Sequence, residues 1–321
     1  MTERVNHSIN GRIHATIARM ATVEQRNLGA GGPPVTVIGF GAWPIGGGMG
    51  AVGNAEAVAT VRSALEAGIT MVDTAESYRT SESIIGEALR GGYRERCFLA
   101  TKASSDYSRQ GIRSALERSL RALRVDCVDL YQIHGWDPRF PIEASMEAMR
   151  ELRDEGKTRY VGVSNFLPEH LETALRVCPV QSNQVRYSLL SRGIEQGTVQ
   201  YCERHGIGVI VHSPLAKGLL TGHYTPHSTF AADDERSGFP DFQGEVFARH
   251  LATAGRLERI AHARGISLVQ LAIAWTLRNP AISCTLVGAR SSGQVVDHIG
   301  AAAVRLTPAE LREIDEILSA A

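Results

Sequence analysis

Val128-Asp129-Leu130-Tyr131-Gln132-Ile133 is an almost continuous apolar run that ends against His134. A strand that is apolar on both faces belongs in a parallel sheet covered on both sides, because an antiparallel strand with one wet face would alternate. Seven more short runs share the β-branched, apolar character: Val35–Gly39, Ile69–Val72, Phe98–Thr101, Tyr160–Val163, Val180–Gln184, Gly208–His212 and Cys284–Gly288. Eight such strands at intervals leave room for a helix after each one.

The helices announce themselves by periodicity and by their ends. Ala55–Ala67 follows Asn54 as N-cap and stops at Gly68, with Val58, Val61, Ala64 and Leu65 on one stripe. Arg109–Leu123 follows Ser108, Ile142–Glu155 stops at Gly156, Ile194–His205 at Gly206, and Leu251–Arg264 at Gly265. Thr307 with Glu310 forms a capping box for a final helix. Alternating strands and helices without a composition break mean an α/β fold, either a closed barrel or a large doubly wound sheet; the expected architecture is a single (β/α)8 TIM barrel over residues 23–321. Gln25–Thr36, with its turn Gly29-Ala30-Gly31-Gly32, is expected to form an N-terminal β-hairpin plug on the barrel floor. Residues 1–22 read as a disordered tail, and His223–Gln243 as a long loop after strand seven of the kind that serves as a lid.

Composition narrows the function classes. The chain has 321 residues, with Lys+Arg and Asp+Glu both 34, so a general affinity for nucleic acid or an acidic membrane is not expected. No apolar run reaches the roughly 18 residues of a membrane span, and residues 1–20 lack the apolar stretch of a secretory signal. The five cysteines contain no CxxC pair and read as buried free thiols of a reducing compartment, which makes the cytoplasm the expected location.

Barrel enzymes collect their chemistry at the C-terminal ends of the strands. There the sequence offers Asp73 and Tyr78, Lys102, His134, Ser164 and Asn165, Gln184, and Ser213. Asp73, Tyr78, Lys102 and His134 make sense together. A free tyrosine titrates near pH ~10. An ammonium beside it stabilises the phenolate and lowers that value. Lys102 can supply the ammonium, Asp73 its counter-charge, and His134 a hydrogen bond that orients a carbonyl. Tyr78 is then an acid placed to protonate an alkoxide as hydride arrives.

These segments resemble the aldo-keto reductase superfamily, in particular its bacterial-type members. The resemblance rests on Asp73-Thr74-Ala75-Glu76-Ser77-Tyr78, Ala100-Thr101-Lys102, Tyr131-Gln132-Ile133-His134, Val161–Phe166, Asn183–Leu190 and Ser213–Gly222, in family order. It implies NADPH-dependent reduction of an aldehyde or ketone, with NADP(H) as cofactor and a small carbonyl substrate. It further implies that Ser164, Asn165 and Gln184 bind the nicotinamide carboxamide. Gly41, Ala42 and Trp43 would lie at the nicotinamide mouth, with Trp43 and Trp136 as substrate-pocket walls beside Tyr78 and His134. Ser213, Leu215 and Lys217 would hold pyrophosphate and ribose. Gly288, Arg290, Ser291 or Ser292 and the following helix start would hold the adenosine 2′-phosphate. The pattern departs from the family at three places. His212 stands for a stacking aromatic, which predicts pH-dependent cofactor affinity. Asp297 and His298 stand for an adenine-binding glutamate and asparagine. Gln294 stands for an arginine.

Rival readings fit less well. Gly39-Phe40-Gly41-Ala42-Trp43-Pro44 lacks the last glycine of a dinucleotide fingerprint. His223 and His227 sit in the loop with no strand-borne histidine pair, so no metal is expected. A cofactor-bound, non-catalytic redox sensor or regulatory subunit could keep all four residues and stays open as the alternative. Substrate identity and oligomeric state, monomer or homo-oligomer, are open at this point.

Overall fold

The computed structural model describes residues 23–320; the expected tail at 1–22 lies outside them. The chain opens with an antiparallel hairpin, β1 (Gln25–Asn27) and β2 (Pro34–Thr36), paired Gln25 to Thr36. Eight parallel strands then close a barrel in the order of the chain. They are β3 (Ile38–Gly41), β4 (Met71–Asp73), β5 (Phe98–Ala103), β6 (Val128–Ile133), β7 (Thr158–Ser164), β8 (Ser182–Arg186), β9 (Gly208–His212) and β10 (Ile282–Val287). The last strand closes on the first through Thr285–Ile38 and Val287–Phe40.

Helices cover the outside: α1 (Asn54–Glu66), α2 (Ser81–Ala88), α3 (Arg109–Leu123), α4 (Ile142–Asp154), α5 (Pro168–Leu175), α6 (Thr198–Arg204), α7 (Gly244–Ala263), α8 (Leu268–Leu277), α9 (Ser292–Gly300) and α10 (Pro308–Ser319). Ser108 caps α3 by accepting from the Gly111 N–H, and Thr307 with Glu310 boxes the start of α10. Three segments differ from expectation. The Val35–Gly39 run is split, because Val35 and Thr36 pair within the hairpin and only Ile38 onward joins the barrel. Asn54 is the first residue of α1 rather than its cap, and its amide donates to Glu87 at 3.0 Å. The segment read as helix Ile194–His205 is a 3-10 turn at Gly193–Gln196 followed by α6.

Two apolar regions hold the fold. The larger lies between the strands and the helices, with Val61, Leu116, Met149 and Leu257 among its buried members. The smaller fills the barrel interior: Met71, Ala100, Leu130, Ile210, Cys284 and Leu286, closed from below by Leu28 and Val35 of the hairpin. The plug docks by backbone: Ala30 N–H donates to Gly206 O at 2.8 Å. Gly29, at φ 75°, is required there, since a Cβ would stand 2.6 Å from Gly206 O. Of the cysteines, Cys97, Cys178, Cys202 and Cys284 are buried and Cys127 is partly exposed; all five are free. Burial pushes the Cys97 thiol up to about 12. Among the described residues no single helix is long and apolar enough to cross a membrane.

Leu28 carries the plug into the barrel. Leu28→Ala removes buried methyl groups from a fully enclosed site, and its loss is expected to cost about 2–5 kcal/mol in urea unfolding. A change well below ~1 kcal/mol would show the hairpin to be an ornament.

Candidate active site

Strand register stacks a polar layer on the apolar barrel interior. Asp73 pairs with Ala100, Lys102 with Gln132, Gln132 with Gly162, and Ser164 with Gln184. Alternation along each strand turns Asp73, Lys102, Gln132 and Gln184 inward, all buried. Asp73 is the hub. Its Oδ1 accepts from the Lys102 ammonium, which also donates to Thr74 O at 2.8 Å. Its Oδ2 accepts from the Gln132 amide at 3.0 Å and the Gln184 amide at 2.9 Å.

Above this layer stand Tyr78 and His134. Tyr78 Oη lies 3.4 Å from His134 Nε2, and the Lys102 ammonium is 5.0 Å from the centre of the Tyr78 ring. Burial alone would lower the Lys102 pKa, but Asp73 and Tyr78 outweigh it and the net shift is upward, so the amine stays cationic. The phenol does not follow the simple expectation. Burial raises the Tyr78 pKa, Lys102 opposes the rise without overcoming it, and Asp73 adds to it. Tyr78 therefore keeps its proton at neutral pH. His134 is pushed down to about 3, by burial first and then by the Lys102 charge. It is a neutral imidazole, with Ser104 Oγ 2.8 Å from its Nδ1.

The pair opens into a cavity of about 630 Å³. Its lining gathers Gly41, Ala42, Trp43, Asp73, Tyr78, His134, Asn165, Gln184, His212, Ser213, Leu215, Lys217, Gly288, Arg290, Gln294, Asp297 and His298, all singled out from the sequence. Lys102 and Ser164 stand behind the wall, where Ser164 Oγ donates to Gln184 O at 2.8 Å. Ser292 is the first residue of α9, beside the cavity rather than in it. Trp136 is a correction. It lies outside this cavity, is 45% exposed, and stacks on His170 of α5 at 4.3 Å between ring centres. The chain turns away after His134, and the imidazole on α5 offers the indole a partner on the outer side.

His212 lines the cavity with both ring nitrogens engaged. Its Nε2 lies 3.1 Å from Asn165 Oδ1 and its Nδ1 3.0 Å from Ser213 Oγ. Burial, with Lys102, Lys217 and Arg186 nearby, pushes its pKa down to about 3. Burial and the neighbouring cations all favour the neutral ring.

Four groups at this site went unassigned in the sequence. Gln132 sits in the histidine strand at the alternate position facing inward, and the two-residue offset from His134 was the available signal. Ser104 follows the lysine strand. Arg186 ends β8 and donates to Asp241 at 2.6 Å. Arg236 is clamped by Asp234 and Tyr224. The last two depend on the loop after β9, which no local pattern places.

That loop crosses the mouth. Glu235 N–H donates to Gly48 O at 3.3 Å, and Arg79 faces the Glu235 carboxylate at 3.8 Å. Lys217 is held between the rings of Trp43, at 4.0 Å, and Phe239, at 4.1 Å. Burial pushes its pKa down to about 8 despite the opposing Glu235. Strain concentrates here: Asn165, Ser213, Ala216 and Lys217 have positive φ, of 58°, 56°, 47° and 55°. Each such non-glycine residue costs on the order of 1–3 kcal/mol, and strain of that kind gathers at functional sites.

A model of the aldo/keto reductase family matches residues 37–319. The chain is 38% identical over 287 residues to the aldo-keto reductase YhdN of Bacillus subtilis (strain 168), covering 85% of this chain and 87% of that protein. Among solved structures it is similar to the glycerol dehydrogenase AKR11B4 from Gluconobacter oxydans, with TM-score 0.84 and 34% identity over 94% of this chain and 96% of that one. The holo form of the aldo-keto reductase AKR11C1 from Bacillus halodurans gives TM-score 0.78 and 28% identity over 93% and 97%. An aldo/keto reductase from Klebsiella pneumoniae in complex with NADP and acetate gives 0.74 and 28% over 92% and 96%.

The stacked cation makes the mouth sensitive to alkaline pH. Lys217 is charged below about 8 and neutral above it, and the cation–π attraction to Trp43 lapses with the charge. Indole emission is expected to change through that range in the wild type and to stay flat in Lys217→Met; superimposable curves for the two proteins would refute the stack.

Proposed function

The chain belongs to the aldo/keto reductase family, and from that premise we propose that it reduces an aldehyde or ketone to the alcohol with NADPH, Tyr78 acting as the general acid. The observation that carries the reading is the Tyr78–His134 pair, two polar groups 3.4 Å apart over the buried Lys102–Asp73 pair and facing the cavity. One carbonyl oxygen fits between a phenol and an imidazole so spaced, and can accept from both.

The residues fit the nicotinamide cofactor. Amides of Asn165 and Gln184 lie near Tyr78 and offer the donors and acceptors a carboxamide needs. Arg290 and Lys217 line the cavity and can turn their charge to phosphate. The Arg290 guanidinium donates to the carbonyl of Ala51, at 2.9 Å, and Lys217 rests on aromatic rings. The helix α9 starts beside Arg290 without a side-chain cap on its first turn, a setting that favours an anion. Gln294 is less suited than an arginine to meet the 2′-phosphate. Its Oε1 accepts from the Arg290 N–H at 2.8 Å, so it shapes the Arg290 loop instead. Asp297 is engaged by Ser267 Oγ at 3.1 Å, and burial pushes His298 down to about 4, so both offer neutral or already partnered groups to an adenine.

When bound, the reduced nicotinamide supplies a hydride to the carbonyl carbon. This chain's residues do the rest. His134 donates to the carbonyl oxygen and orients it. As negative charge gathers on that oxygen, Tyr78 Oη gives up its proton to it. Lys102, fixed by Asp73, stabilises the phenolate left behind until solvent returns a proton. With its pKa raised, Tyr78 carries its proton at neutral pH, the state in which it can donate to the carbonyl oxygen.

Tyr78→Phe is expected to lower kcat for aldehyde reduction by about 10²–10⁴ while leaving NADPH binding nearly intact. Full turnover in that variant would overturn the assignment, and tight NADPH binding with no turnover of any carbonyl by the wild type would favour the sensor reading. The neutral His212 gives a second check. The 2′-phosphate itself titrates near pH ~6, so the quantity to read is the ratio of NADPH Kd between wild type and His212→Phe. That ratio should be constant from about pH 5.5 to about 7.5; a ratio that swings through the ordinary imidazole range would show a charged His212. Lys217 adds the opposite signature. Its folded pKa of about 8 rises when phosphate binds, so affinity is complete below about 8 and weakens above it.

A further inference from the structure

A neutral imidazole has one N–H to give, and its two nitrogens are not equivalent. At His134 the nitrogens have different neighbours: Ser104 Oγ at 2.8 Å from Nδ1, and Tyr78 Oη at 3.4 Å from Nε2. If the hydrogen sits on Nδ1, it points at Ser104, and Nε2 becomes an acceptor for the Tyr78 hydroxyl. The acid's proton is then spent on the imidazole, and His134 has nothing to give a carbonyl. If Ser104 donates to Nδ1, the hydrogen sits on Nε2. Two donors, Nε2–H and Tyr78 O–H, then face the same point in the cavity.

Resting on the reductase reading, we propose that Ser104 is a positioning residue that sets the tautomer of His134, its hydroxyl donating to Nδ1 so that Nε2–H faces the substrate. Among the described residues the Ser104 hydroxyl has no hydrogen-bond partner other than this nitrogen. The serine is built into place. It follows directly on β5, and the Ala103–Ile133 register sets it beside His134, whose own N–H donates to Ala103 O at 2.9 Å. Its backbone N–H donates to Glu76 Oε1 at 2.8 Å. Glu76 Oε2 accepts from Arg118 of α3 at 2.9 Å, and Glu76 N–H reaches Lys102 O at 3.3 Å. Glu76 therefore ties together the loop bearing Tyr78, the end of the lysine strand and the outer helix layer. These contacts fix the Ser104 backbone and so set its hydroxyl beside Nδ1, as an outer partner fixes a histidine that ligates a metal. The low His134 pKa, about 3, fits a ring that keeps one hydrogen in use.

The direct test is the ring itself. Long-range ¹H–¹⁵N spectra of protein labelled in its 11 histidines, with the His134 signals assigned by their loss in His134→Gln, read the tautomer without any turnover. Wild type is expected to carry the hydrogen on Nε2, Ser104→Ala to shift toward the Nδ1–H form, and Ser104→Thr to restore Nε2–H. Hydrogen on Nδ1 in the wild type, or no change in Ser104→Ala, overturns the proposal whatever the enzyme turns over. In kinetics, Ser104→Ala should lower kcat by about 10–100-fold with the NADPH Kd unchanged. In a His134→Gln background, where the amide donates regardless of any serine, the same substitution should have almost no further effect. An equal loss in both backgrounds would mean that Ser104 only supports the loop. The expected spectra with no carbonyl turned over would sink the reductase reading alone and leave the tautomer assignment standing.

Discussion

The site depends on a carboxylate and an ammonium buried together at the top of the barrel. Charges taken out of water are costly, and the cost is recovered only when partners satisfy them. Asp73 meets that condition with both oxygens occupied, by Lys102 on one side and by Gln132 and Gln184 on the other. Removing one partner of such a pair costs about 3–5 kcal/mol, because the other is left charged and alone. The pair therefore fixes more than a charge. With Gln132 and Gln184 it ties together four strands, β4, β5, β6 and β8, and it holds the cation under the phenol.

That distinction changes how the tyrosine works. The simple sequence argument has an ammonium making the phenol acidic. In the folded chain burial is the larger influence, and the phenol rises. In the proposed reduction the cation would matter after the proton has left, by stabilising the charge that transfer creates. Catalysis by differential stabilisation needs only that the product of proton transfer be favoured more than the starting group. Under the proposed role, a protonated Tyr78 above a fixed cation would meet this condition.

Much of this was legible in the chain. Eight apolar runs that suit a two-sided sheet gave the barrel, and polar residues just past five of them gave the site, since both follow from strand alternation and chain order. The hairpin was legible from Gly29–Gly32. What escaped was set by contacts between segments distant in sequence. Val35 and Thr36 look like barrel strand by composition, yet pair within the hairpin. Trp136 follows His134, but a partner on α5 decides which way the indole turns. His212 reads as a titrating imidazole until its burial and its Asn165 and Ser213 neighbours are known. Gln132 and Ser104 matter only through the side chains they touch, and a sequence does not record touching.

The mouth shows how this chain spends backbone strain. Positive φ at Ser213, Ala216 and Lys217 would be an odd choice for a loop with no task, because glycine would relieve it. At two of these positions the side chain makes a contact that glycine could not: Ser213 on His212, Lys217 between two rings. The strained run follows directly on β9, so the rigid barrel absorbs the cost and the loop presents its groups in one arrangement. The lid from residue 223 onward is then joined to the opposite side of the mouth by weak, separable contacts, the 3.3 Å hydrogen bond to Gly48 and the 3.8 Å pair with Arg79. Strong local constraint below and weak closure above is the arrangement expected where a ligand must enter, be held in one geometry, and leave.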